Sequence, residues 1–188
     1  MPAIAGQDQC GYENAWGKTV GAEGVCEANK ANGCGNSIIN EGGVCHTSDD
    51  ESIGNSGNEN NFKCVRVVLN GGKCIAESSK GAYPCPEAVI NEGGVCVGNS
   101  RASCQDAIIN NGGTCEGNYP YSCYAATVNN GGKCVANTGE ARPYTSCSKI
   151  TVNDGGKCVA NAPNTCGGTY NGTGCCEGAY CPADVPKC

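Results

Sequence analysis

One histidine and nineteen cysteines hold most of the reactive side-chain chemistry in this 188-residue chain. A Ser/His/Asp or Cys/His centre needs an imidazole as base, and His46 is the sole candidate. It opens the polar stretch His46 to Lys63, HTSDDESIGNSGNENNFK, whose composition is that of a solvated loop. Within it, Asp49, Asp50 and Glu51 do not have the spacing of an EF-hand calcium loop. Glu41, Glu92 and Asp154 recur at equivalent turn positions, whereas a glycosidase needs two carboxylates facing one cleft. Turn preference accounts for that row without catalysis. The cysteines include no C-x2-C pair, which argues against structural zinc. No enzymatic activity, metal or cofactor is expected.

Cysteine at this density marks a disulfide scaffold, and so an oxidising, extracellular setting. With thirty glycines and a single Phe and Trp, the chain cannot build a large aliphatic core and needs covalent staples. The net charge of −6, without a basic cluster, disfavours nucleic acid and anionic membranes. No run is long and apolar enough for membrane insertion. Ala3-Ile4-Ala5 resembles the small-residue end of a leader cleavage site, so a trimmed leader is expected.

The cysteines are held by a repeated unit, seen most plainly in Cys104 to Cys123, CQDAIINNGGTCEGNYPYSC. Its turn recurs as Asn40-Glu41-Gly42-Gly43, Asn70-Gly71-Gly72, Asn91-Glu92-Gly93-Gly94, Asn129-Asn130-Gly131-Gly132 and Asn153-Asp154-Gly155-Gly156. One residue later comes a cysteine: Cys45, Cys74, Cys96, Cys134 or Cys158. β-branched pairs such as Ile38-Ile39, Val89-Ile90 and Ile108-Ile109 precede the turns. Asn-Asn-Gly suits a type I turn followed by a residue of positive φ. The chain is therefore expected to be all-β: a disulfide-rich tandem array of short β-hairpins, solenoid-like or stacked, with little or no helix. Residues 1–33 read as an N-terminal cap with a degenerate repeat, 34–165 as six tandem units, and 166–188 as a cystine-dense C-terminal cap. In that last segment GCCEGAYC loosely resembles knottin-type inhibitors, and no function is carried over from the resemblance.

Spacing constrains the disulfides. Cys34–Cys45, Cys85–Cys96, Cys104–Cys115, Cys123–Cys134 and Cys147–Cys158 each enclose ten residues, and Cys64–Cys74 encloses nine. In a hairpin turning near Gly112, Cys104 and Cys115 would stand roughly 13 Å apart, too far to bond. Loop-closing pairs such as Cys96–Cys104, Cys115–Cys123 and Cys158–Cys166 fit better, and bonds between stacked neighbours stay open. Cys26, Cys34, Cys45, Cys64, Cys74, Cys85, Cys134 and Cys147 are candidates for the same network. The odd total leaves one cysteine over, to link chains, pair with a further segment or stay free.

Two adjacent β-branched residues point to opposite sides of a strand, so each unit has two apolar faces to cover. Intramolecular stacking covers them, or self-assembly does. Tyr83, Tyr119, Tyr121, Tyr124 and Tyr144 fall in or beside the inter-unit loops and would suit stacking on sugars. Lys73, Lys133 and Lys157, each just before a cysteine, read as guards of an edge strand. Asn171-Gly172-Thr173 is a glycosylation sequon. The expected role is a secreted, non-enzymatic rod in an extracellular matrix, cell coat or filament, its partner another copy of itself. The alternatives are a carbohydrate-binding module that meets an extracellular glycan through the tyrosine loops, and a small secreted effector or inhibitor.

Overall fold

The computed structural model describes residues 17–22, 24–28, 33–47, 62–77, 83–139 and 145–188. All regular structure among them is β, in two eight-stranded parallel sheets and one two-stranded pair. The first, here the aliphatic sheet, takes Thr19–Val20, Ile38–Asn40, Val68–Asn70, Val89–Ile90, Ile108–Ile109, Thr127–Val128, Ile150–Val152 and Gly168–Tyr170 in chain order. The second, the cystine sheet, takes Val25–Glu27, Val44–Thr47, Lys73–Ala76, Val95–Gly98, Thr114–Gly117, Lys133–Ala136, Lys157–Ala160 and Cys175–Glu177. Phe62–Lys63 pairs with Tyr83–Pro84 on the third side. The molecule is an all-β, disulfide-rich tandem array wound as a solenoid, one unit to a coil.

The strand–turn–strand units lie where the sequence places them, but the two arms of each part at the turn. Each arm pairs in parallel with the same arm of the coils on either side: Cys96, Cys115 and Cys134 stand in one register line, and Ile90, Ile109 and Val128 in another. The reason lies in strand length. Arms of two to four residues make too small a hairpin to be stable alone, whereas stacking pairs every arm with two neighbours. The turn also differs in type. In the coil of Asn110, the Gly113 N–H bonds the Asn110 carbonyl at 2.8 Å while Gly112, third of the four, has φ of 72°. Positive φ at that position is the type II requirement, where a type I turn was expected.

Packing follows the alternation of the strands. Ile39, Leu69, Ile90, Ile109, Val128 and Val152 point inward from the aliphatic sheet and are fully buried. Opposite them the cystine sheet contributes Cys26, Cys45, Cys74, Cys96, Cys115, Cys134 and Cys158, each bonded to the first cysteine of the next unit: Cys26–Cys34, Cys45–Cys64, Cys74–Cys85, Cys96–Cys104, Cys115–Cys123, Cys134–Cys147 and Cys158–Cys166. Neighbouring bridges touch: the sulfurs of Cys26, Cys34 and Cys45 all lie within 4.8 Å of one another, as do those of Cys123, Cys134 and Cys147. The core is thus part hydrocarbon and part a row of stacked disulfides.

Two further bridges, Cys175–Cys188 and Cys176–Cys181, fold the C-terminal tail back. The Cys176 N–H bonds the Pro186 carbonyl at 2.8 Å, and the Cys188 N–H bonds the Cys176 carbonyl at 3.0 Å. The tail therefore closes the last edge of the cystine sheet, as exposed edges require. These nine disulfides use eighteen cysteines; the nineteenth, Cys10, lies outside the described residues.

Candidate interaction surface

Of the five loop tyrosines, Tyr83, Tyr119, Tyr121 and Tyr124 fall among the described residues. Tyr121 and Tyr124 come together with ring centroids 5.9 Å apart. The Arg101 guanidinium lies 5.0 Å from the Tyr121 centroid and the Lys149 ammonium 5.5 Å from that of Tyr124. Tyr83 and Tyr119 are exposed. Tyr83 and Tyr121 each sit two residues before a third-side cysteine, but the coil between them carries buried Ala102 at that position. Tyr144 lies outside the described residues.

His46 is not a loop residue. It belongs to the strand Val44–Thr47 and faces outward between two carboxylates. Its Nδ1 is 2.9 Å from Glu27 Oε2 and its Nε2 3.3 Å from Glu77 Oε2. Only the protonated ring donates from both nitrogens. Partial burial works against that charge, but the bonds to Glu27 and Glu77 outweigh it and the pKa is raised. A raised pKa stabilises the fold fully below the ordinary value of about 6.5, and this contribution is lost as pH rises through the folded-state value. Thermal melts should therefore show the native chain losing its advantage over His46→Gln as pH rises from about 6 to 8. Parallel curves would leave the Glu27–His46–Glu77 contacts without consequence.

The outer faces of both sheets carry β-branched side chains, and they differ in where charges fall. Along the aliphatic sheet one register line reads Thr19, Ile38, Val68, Val89, Ile108, Thr127, Thr151, Thr169. Ile38 and Ile108 are about two-fifths exposed, and no member of the line is charged. Beside it runs a side-chain ladder. Asn91, Asn110, Asn129, Asn153 and Asn171 each donate through Nδ2 to Oδ1 of the asparagine one coil earlier, at 2.8–2.9 Å, beginning at Asn70. The cystine sheet has a mixed, charged exterior, with Lys73, Lys133 and Lys157 in one line and Glu27, His46, Glu116 and Glu177 in the next. Those lysines sit inside an eight-stranded sheet, so guarding an edge is not their role. Lys157 meets Glu177 at 3.3 Å.

The sequon occupies the last rung of the ladder. Asn171 is exposed, and the Thr173 N–H and hydroxyl both donate to Asp154 Oδ1, which holds that carboxyl below its ordinary pKa. A second ladder, Asn99, Asn118, Asn137 and Asn161, lines the far side of the cystine sheet. The asparagines of the first ladder open the turns of successive units. Their recurrence at one fixed position in every unit was the available signal, because a solenoid brings equivalent positions into contact. No helix of the described residues is long and apolar enough to cross a membrane.

No protein-family model matches the chain, and neither a curated protein nor a solved structure is similar to it.

Proposed function

We propose that this chain is a non-enzymatic structural element of an extracellular matrix, cell coat or filament, secreted and self-associating. One observation carries the reading: seven successive disulfides recur at equivalent buried positions of consecutive coils, each joining the last cysteine of one unit to the first of the next. Each bridge closes one corner of a coil and limits how far that coil can open, which stiffens the repeat unit by unit. It also needs an oxidising compartment to form. The eight coils of the described residues extend about 34 Å along the axis at ordinary strand spacing. The folded tail obstructs continuation of the cystine sheet at the C-terminal end, which favours sideways contact over end-to-end stacking.

Light scattering across a wide concentration range, on oxidised protein, tests this. The expected result is an average mass that climbs above the monomer as concentration rises. A strict monomer that is retained on a glycan and released by Tyr121→Ala would replace this reading with the carbohydrate-binding one, for which the Tyr121–Tyr124 pair is the supporting feature.

A further inference from the structure

We infer that the C-terminal tail is a redox-sensitive strap: a dithiol reductant opens the Cys175–Cys188 and Cys176–Cys181 bridges first, and the tail then leaves the end of the cystine sheet while the coils stay closed. The inference stands apart from the self-associating reading above. Exposure separates these two bridges from the seven of the solenoid. Every cysteine of the solenoid bridges is buried, with Cys26 the least covered at 3%. In the tail bridges Cys188 is exposed, Cys175 and Cys181 are half-buried, and only Cys176 is buried. A disulfide opens when a thiolate attacks one of its sulfurs, so a fully covered bridge must wait for its coil to open. Exposed bridges are the labile ones.

Little besides the two bridges keeps the tail in place. Residues 177–180, 183, 184 and 186–188 are exposed, while Cys181 and Val185 pack partly against the core. Two backbone bonds seat the tail on the last coil, from the Cys176 N–H to the Pro186 carbonyl and from the Cys188 N–H to the Cys176 carbonyl. Lys187 Nζ donates to the carbonyls of Cys181 and Pro182, at 2.8 and 2.6 Å, which ties the tail to itself and not to the coils. Two hydrogen bonds and one half-buried valine do not offset the entropy of ordering residues 177–188 once the covalent ties are gone.

The chemistry is thiol–disulfide exchange. A thiolate of the reductant bonds to the exposed Cys188 Sγ as the Cys175–Cys188 bond breaks, and the Cys175 thiolate takes up a proton. The second thiol of the reductant displaces Cys188 from this mixed disulfide, so the reductant leaves as its own disulfide and Cys188 as a thiol. The half-buried Cys181 Sγ then takes the same attack, and each bridge receives two electrons. In an oxidising compartment the strap stays shut, and a thiol-rich one opens it. Opening uncovers the N–H and carbonyl of Cys176, which the strap otherwise covers at the edge of the eight-stranded cystine sheet.

The full oxidised chain, treated with dithiothreitol, quenched at intervals with N-ethylmaleimide and mapped by peptide mass spectrometry, gives the order of opening. Hydrogen exchange on the same samples follows the tail. The expected result is labelling of Cys175, Cys176, Cys181 and Cys188 at least tenfold faster than any cysteine of the seven solenoid bridges. Exchange protection should be lost at Cys176 and Cys188 and kept in the coils. A Cys175→Ser, Cys188→Ser double variant, kept oxidised, should lose the same protection without any reductant. Solenoid bridges that open together with the tail bridges, or before them, would overturn the inference. So would tail cysteines that label fast while Cys176 and Cys188 keep their protection.

Discussion

Replacing Cys115 and Cys123 together with alanine should lower the unfolding free energy by about 3–5 kcal/mol. The bridge closes a sequence separation of 8 residues, for which the chain-entropy model gives about 2.5 kcal/mol. The remainder is packing. Both cysteines are fully buried, and alanine leaves the space of two sulfurs empty in the middle of the row. Position in the stack matters as well. In a linear array each coil is stabilised mainly by its two neighbours, so a central lesion weakens two interfaces at once. Urea unfolding of the oxidised double variant, followed by far-ultraviolet circular dichroism, measures the loss as the difference in extrapolated unfolding free energy, since removing a cross-link also changes the slope. A loss below about 1 kcal/mol would move the main burden of stability to Ile90, Ile109 and Val128.

That pairing was readable in the sequence for a reason that survives the change of architecture. Cys104 and Cys115 lie too far apart to bond whether the arms pair with each other or diverge into two sheets, and in both cases Cys115 reaches the next cysteine along the chain. The hairpin itself did not carry over, because an Asn-Asn-Gly-Gly turn looks the same whichever partner its arms choose. What selects the solenoid is the sameness of the units: an arm that matches its counterpart in the next coil, as Cys96 matches Cys115, gains more from it than from its own short partner. The third-side corner gave no warning at all. Cys104 and Asp106 adopt φ of 52° and 55°, a region that usually announces itself by glycine. Here the disulfide and two bonds, Cys104 N–H to Pro84 and Asp106 N–H to Tyr124, hold the backbone in place. His46 was misplaced because a strand whose inward positions hold only a cysteine and a small residue looks polar in sequence; Thr47, equivalent to Ala76, is its last inward position.

The doubled glycine of each turn shows what stacking adds to local sequence logic, and Gly132→Ala should be the more damaging of two neighbouring substitutions. Gly131 has φ of 72°, so alanine there meets backbone strain of about 1–2 kcal/mol. Gly132 lies outside the positive-φ region, and turn chemistry alone gives no reason for it to be glycine. Its neighbour across the coil gives one. A Cβ built on Gly132 would stand 2.6 Å from the Ile109 carbonyl oxygen and 3.1 Å from the Asn129 carbonyl oxygen. The same approach recurs at Gly113 over Ile90 and at Gly156 over Val128, at 2.5 and 2.6 Å. The Ile109 oxygen cannot retreat freely, since it accepts the Asn129 N–H at 2.8 Å in the coil-to-coil ladder. Alanine at 132 therefore forces the coils apart at the turn or breaks that bond, at a cost of about 2–4 kcal/mol. Urea unfolding of Gly131→Ala and Gly132→Ala under identical oxidised conditions decides the order. If Gly131→Ala proved equally or more harmful, the approach of Gly132 to the Ile109 carbonyl would not be the main constraint on the glycine pair.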